Sequence, residues 1–184
     1  LLLSTPRDSY VTFAQTGGNL DKLTHAGIYG VEASIDALQG VYDINVDYYL
    51  RLNFSGFVDI IDALGGIDVY SEQAFSVHNI RSYDVGVNHV SGLEALAFAR
   101  ERYSFADGDA QRARNQMEVI RAVISKAISS SMLVNYNSVM NAVSGSFETS
   151  MPQDQIAALV KMQLNDMAEW NITSYAPTGT SKRA

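Results

Sequence analysis

The stretch VDYYLRLNFSGFVDIIDALGGIDVY, residues 46–70, changes its hydrophobic period twice, and this limits the possible folds more than any other part of the chain. VDYYLRLN is rich in aromatic and branched residues and predicts a strand. FSGFVDIIDALGG then sets Phe57, Ile60, Ile61 and Leu64 at helical spacing and stops at a glycine pair. IDVY predicts a second strand after a crossover. Strand, helix and strand in close succession are the signature of an α/β layer with helices packed on a sheet.

The rest of the chain extends this pattern. LLLSTPRD reads as the last part of a buried strand running out into a loop at Pro6, so the natural protein is expected to continue upstream. VEASIDALQGVY predicts an amphipathic helix with Val31, Ile35 and Leu38 facing inward, ending near Gly40. Ser71 to Asn88 reads as a hairpin or irregular insertion. SGLEALAFARER reads as a helix capped by Ser91, and Arg112 to Ser129 as a longer one. Asn137 to Val143 and Pro152 to Met167 look helical, and WNITSYAP suggests a late strand. With 184 residues, 47% hydrophobic content and three prolines, one domain over residues 1–184 is expected. No segment reaches the ~18 consecutive apolar residues of a spanning helix, and the absence of cysteine excludes disulfides and thiolate chemistry.

The acidic balance is informative. Asp and Glu outnumber Lys and Arg by 20 to 13, giving a net charge of -7, which opposes general attraction to nucleic acid. Yet ARERYSFADGDAQRARNQ, residues 99–116, concentrates Arg100, Arg102, Arg112 and Arg114. On a helix starting at Arg112, Val119, Ile120, Val123 and Ala127 share one side, and Arg112 and Gln116 continue that side. Arg114, Glu118 and Arg121 fall roughly opposite and read as solvated charges. On the preceding helix Leu93, Leu96 and Ala97 mark the expected buried face, and Arg100 lies on it. An inward guanidinium needs an acidic partner or an anionic ligand. Both readings stand: salt bridges, to Glu101, Asp107 or Asp109 within the segment or to Asp8 or Asp62 elsewhere, or convergence on a phosphate or pyrophosphate.

Asp8 ends the first strand, where open α/β sheets place ligands and where a carboxylate can hold a divalent metal; Pro6-Arg7-Asp8 also reads as a plain turn. Asp107 and Asp109 around Gly108 read as turn residues. His25, His78 and His89 form no metal-ligand pattern. Phe54, Phe57, Ile60 and Ile61 are candidates for a lipid groove, with ordinary core packing the better explanation for each.

Four ordered blocks carry a specific resemblance: STPRDSYV, DKLTHAGIYG, VDYYLRLNFSGFVDIIDALGGIDV and GLEALAFARERYSFADGDAQRARNQMEVI. In this order they resemble the LytR-CpsA-Psr family of Gram-positive bacteria, from Leu1 to about Lys126. The resemblance implies an α-β-α sandwich whose central sheet layer is flanked by helices, here an N-terminally truncated single catalytic domain. It implies a membrane-anchored phosphotransferase on the extracytoplasmic face. Such an enzyme would take a glycopolymer, capsule or teichoic acid, from an undecaprenyl-pyrophosphate carrier and attach it to peptidoglycan. The ARER and QRxRNQ blocks would supply pyrophosphate ligands, here Arg100, Arg102, Arg112 and Gln116; helix facing selects three of these, and Arg102 enters through the resemblance. Asp8 resembles the family's magnesium (or manganese) ligand, with Arg7 helping to hold phosphate. The resemblance makes Asp8, Arg100 and Arg102 the catalytic set. The family's second metal-binding Asp lies on a strand before the PRD block, ahead of residue 1, so weak magnesium binding or inactivity of the fragment is expected. Its further basic residue would be Lys22. A non-catalytic polyprenyl (pyro)phosphate-binding module and a cell-envelope transcription regulator are the alternatives; the charge counts against direct DNA contact.

Overall fold

The computed structural model describes residues 1–177; residues 178–184 of the expected domain lie outside the described residues. The chain groups into two compact units, one formed by Leu3–Tyr48 and the stretch from Ser174, the other by Leu1–Leu2 and Tyr49–Thr173.

In chain order the first part holds β1 (Leu2–Leu3), β2 (Tyr10–Val11), β3 (Asp21–Lys22), α1 (Leu23–Ala26) and α2 (Val31–Tyr42). β2 and β3 pair antiparallel with Tyr10 opposite Lys22. The core of this unit is Val11, Phe13, Ala26, Ala33 and Ala37, with Leu23 packed against it. On α2 the alanines, not the larger side chains, form the innermost ridge; Val31, Ile35 and Leu38 are half-buried beside it. Small residues let the helix backbone come close, a choice that a count of large apolar positions does not see. The helix also runs through Gly40 and stops at Asp43, which takes the left-handed conformation and donates its N–H to Gln39 O. The opening leucines are not core: Leu1 and Leu3 are exposed, and Ser4 N instead bonds Tyr175 O at 3.0 Å.

The larger unit contains β4 (Leu50–Leu52), α3 (Phe54–Ala63), β5 (Ile67–Ser71), β6 (Phe75–Val77), β7 (Arg81–Tyr83) and β8 (Gly86–Val90). It continues with α4 (Gly92–Arg100), α5 (Gly108–Ala127), α6 (Ser130–Val134), α7 (Tyr136–Ala142), β9 (Phe147–Thr149) and α8 (Gln153–Asp166); β10 (Ser174–Tyr175) follows in the smaller unit. Asn53 caps α3 by accepting from Gly56 N at 2.8 Å, and the expected glycine stop is met at Gly65 and Gly66, both at positive φ. β6 and β7 form the expected hairpin, turning at Asn79 in the left-handed region.

The crossover expectation fails at the level of pairing. β5 pairs antiparallel with β8, Ile67 opposite Val90, while β4 pairs antiparallel with β9, Leu50 opposite Thr149. Partners so distant in sequence leave no local trace, and β4 exposes all three residues, so it has no buried face to set its register. Among the described residues the strands form two-stranded ladders, not one continuous central layer.

The main core lies where α3, α4 and α5 meet the β5–β8 ladder: Ile61, Ile67, Val69, Phe75, Tyr83, Val90, Phe98, Phe105 and Val119 are all buried there. Each fully buried large side chain contributes roughly 1.5–3 kcal/mol by leaving water. The rings interlock, Phe75 stacking on Tyr83 at 4.6 Å and meeting Phe105 edge-on at 4.9 Å. Burial pushes the Tyr83 hydroxyl up to about 12, and that hydroxyl donates to Glu94 O at 2.6 Å. Phe105, in the loop between α4 and α5, thereby ties the arginine-rich segment to the core.

Candidate functional site

The larger unit positions the arginines through two helix ends. α4 starts with a capping box, Ser91 N donating to Glu94 Oε2 at 2.8 Å, and Asp62 Oδ1 accepts from Gly92 N at 2.7 Å. Asp62 is thus a helix cap and not an arginine partner. α4 ends at Arg100, and the chain returns tightly through residues 101–107 into α5. Gly108 permits the return: a side chain there would collide with the backbone oxygen of Arg102.

The buried faces are rotated by about one residue from the sequence reading. On α4 Ala95, Ala97, Phe98 and Ala99 are buried, Ala97 as expected, whereas Leu93 and Arg100 are exposed. The Arg100 guanidinium lies 4.5 Å from the Phe54 ring centroid, a cation–π contact. Phe54 itself is exposed, whereas Ile61 is fully buried core and Phe57 packs against that core. On α5 the core side is Gln111, Asn115, Val119 and Ala122. Arg112 stands one step to the side with 26% of its side chain exposed, and Gln116, Ile120 and Ala127 are exposed. The polar pair Gln111 and Asn115 occupies the inward stripe expected for Arg112 and Gln116.

Arg102 and Arg112 are brought together. Arg112 Nη2 lies 3.1 Å and Arg102 Nη1 3.7 Å from the same oxygen, Asp109 Oδ1. Arg102 is further fixed by Tyr103, donating to its hydroxyl at 2.7 Å with the ring centroid 4.7 Å away. Two guanidiniums aimed at one carboxylate oxygen present the donor geometry that phosphate oxygens use.

A buried hydrogen-bond chain backs this arrangement. Asn115 Nδ2 donates to Phe98 O at 3.2 Å, and Gln111 Nε2 donates to Asn115 Oδ1 at 3.0 Å. Arg114 donates to Gln111 Oε1, pairs with Asp107 Oδ2 at 2.7 Å and approaches Glu72 Oε2 at 3.6 Å. Arg114 is therefore a paired charge that clamps the helix start, although its side chain is still 41% exposed. Glu118 is likewise engaged, accepting from Tyr70 N at 2.8 Å and pairing with Arg121 at 2.5 Å.

The clamp has a pH signature. The hydrogen bond from Arg114 holds the Asp107 carboxyl below the usual carboxylate range. A depressed acid stabilises the fold above its unfolded pKa and loses that contribution as pH falls. Thermal midpoints taken between about pH 6 and pH 3 should therefore fall less steeply for Arg114→Ala than for wild type, from a lower starting point.

The smaller unit brings Arg7, Asp8 and Lys22 together. Leu23 N donates to Ser9 O and Thr24 N to Arg7 O, both at 2.8 Å, which docks the PRD turn on the start of α1. Lys22 Nζ lies 3.2 Å from Asp8 Oδ1, and Arg7 Nε 3.9 Å from Asp8 Oδ2. Beside them His25 Nδ1 is 2.7 Å from Asp21 Oδ1, and this bond holds the Asp21 carboxyl below its ordinary range. Asp8 is 61% exposed, and no group of three or more His, Asp or Glu gathers as a metal cage among the described residues. Asp8 offers one carboxylate, the fewest that a magnesium site takes when water and other oxygens complete it.

Sequence reasoning missed Gln111, Asn115 and Tyr103, whereas Asp107 and Asp109 pair with the arginines as one of its readings expected. The signal for Asp109 was present: an Asp in the first helical turn three residues before an Arg is a favourable i,i+3 pair.

The model of the LytR_cpsA_psr family matches residues 1–183. A polyisoprenyl-teichoic acid–peptidoglycan teichoic acid transferase, TagU of Bacillus cereus, is 35% identical over 164 residues, covering 89% of this chain and 53% of TagU. Among solved structures, B. subtilis TagV superposes with TM-score 0.82 at 29% identity, covering 97% of this chain and 70% of TagV. TagT bound to LI-WTA gives TM-score 0.74 at 27% identity, with 97% and 66% covered. This chain belongs to the LytR-CpsA-Psr family. It spans about half the length of the curated relatives it matches.

Proposed function

We propose that the protein transfers teichoic acid or a related glycopolymer from a polyprenyl-pyrophosphate carrier to peptidoglycan, at the extracytoplasmic face of the membrane. The observation that carries this reading is the meeting of Arg102 and Arg112 on one oxygen of Asp109, with Arg100 at the adjoining helix end. Membership of the family and the teichoic acid transferase activity that TagU is named for support it.

In this reading Arg100, Arg102, Arg112 and Gln116 bind the pyrophosphate. A peptidoglycan hydroxyl attacks the sugar-side phosphorus, forming a new P–O bond. The bond from that phosphorus to the bridging oxygen breaks, its electron pair leaves with polyprenyl phosphate, and the hydroxyl proton passes to a base or water. The guanidiniums offset the charge that grows on the phosphate oxygens, the type of stabilisation that dominates phosphoryl transfer. Magnesium, or manganese, belongs to the proposal through Asp8, flanked by Arg7 and Lys22; when bound, such an ion supplies Lewis-acid stabilisation of phosphate charge. The ladders of the larger unit are further proposed to be parts of the central layer of an α-β-α sandwich, supported by the packing of α3, α4 and α5 on β5–β8.

The test is incubation of the full-length protein with a polyprenyl-pyrophosphate-linked teichoic acid and peptidoglycan, with and without magnesium. A phosphodiester-linked product that needs the metal is expected. Tight lipid binding without product would replace the transferase by a binding module.

A further inference from the structure

We propose that Asp109 is the internal counterion of the anion site, standing where a phosphate oxygen would stand between Arg102 and Arg112 and setting how tightly that site takes its ligand. The inference rests on the pyrophosphate reading above and deepens it. One carboxylate oxygen serves both arginines, at 3.1 and 3.7 Å, and the side chain is 75% exposed. An ion pair so open to water contributes little to stability, so a ligand displaces it at small cost.

Each arginine has contacts besides Asp109: Arg102 donates to the hydroxyl of its exposed neighbour Tyr103 and lies over that ring, and Arg112 is three-quarters buried on α5. What Asp109 adds is negative charge at the point where a phosphate must arrive. At about 4 Å, repulsion between unit charges amounts to roughly fivefold in affinity even at the dielectric of water, and more where water is excluded. A carboxylate in a first helical turn also suits the helix dipole, which is the simpler reason for its presence. The two explanations differ in sign: loss of a dipole partner lowers stability, whereas loss of a competitor raises affinity.

The experiment is calorimetric titration of inorganic pyrophosphate into the full-length wild type, Asp109→Asn, Asp109→Glu and Asp107→Asn, each checked for folding by circular dichroism. Asp109→Asn is expected to bind at least about fivefold more tightly, and Asp109→Glu to stay near wild type. Asp107→Asn removes the same charge two residues earlier, at the cap of α5, but its carboxylate is held by Arg114, so no gain is expected. A gain cannot arise from a structural defect. Wild-type binding with unchanged or weaker binding by folded Asp109→Asn would overturn this inference alone. Failure of both folded proteins to bind would overturn the pyrophosphate reading and this inference with it.

Discussion

Arg112→Ala is expected to lower glycopolymer transfer by about 100-fold or more while leaving the thermal midpoint close to that of wild type. Arg112 lies beside the α5 core stripe and its recorded partner is the exposed Asp109, so the fold depends little on it. The reaction depends on it much more, because charge develops on phosphate oxygens that this guanidinium would contact. Removing one preorganised donor from such a site typically costs two to three orders of magnitude in rate. The check is initial rate against donor concentration together with a melting curve for each protein. A loss of transfer matched by a collapse of the midpoint would make Arg112 a structural residue.

A large stability effect is expected at Gly92. A methyl group on Gly92, the first residue of α4, would run into the backbone oxygen and Cα of Val58 in α3, well inside contact distance. Backbone on a packed helix cannot step aside, so α4 would have to move away from α3, at a cost of about 1–3 kcal/mol or more. For a chain of this size that is a fall of roughly 2–12 °C in thermal midpoint. Gly40 gives the opposite sign. It lies inside α2 with no atom near its would-be Cβ, so Gly40→Ala should raise stability by about 0.5–1 kcal/mol. Thermal melts of the two variants side by side check both signs. Because α4 carries Arg100 at its far end, Gly92→Ala should also weaken anion binding, although Gly92 touches no ligand in this account.

Legibility in the sequence followed the range of the interactions. The cap at Ser91 and the glycine stop of α3 at Gly65–Gly66 were readable. Pairing was not, because the β4–β9 ladder joins residues such as Leu50 and Thr149 that share no local pattern. Within the arginine-rich segment the concentration of charge was readable and the facing was not. Periodicity assigns the inward stripe to the largest apolar side chains, and here small residues and a satisfied polar pair take it instead. Ala33 and Ala37 do so on α2, and Gln111 with Asn115 on α5. Arg102 and Arg112 come together on Asp109 through a loop return that Gly108 and Phe105 make possible. No helical wheel extends across that return.

The most direct test of the central claim is binding of a polyprenyl pyrophosphate to the full-length protein, comparing wild type with Arg112→Ala at equal ionic strength. Saturable wild-type binding, weakened at least tenfold in a folded Arg112→Ala protein, is the predicted result, since a charge-assisted hydrogen bond contributes roughly 1.5–3 kcal/mol. Equal binding by both folded proteins would mean that Arg102 and Arg112 meet only to neutralise Asp109, and the anion site would lie elsewhere.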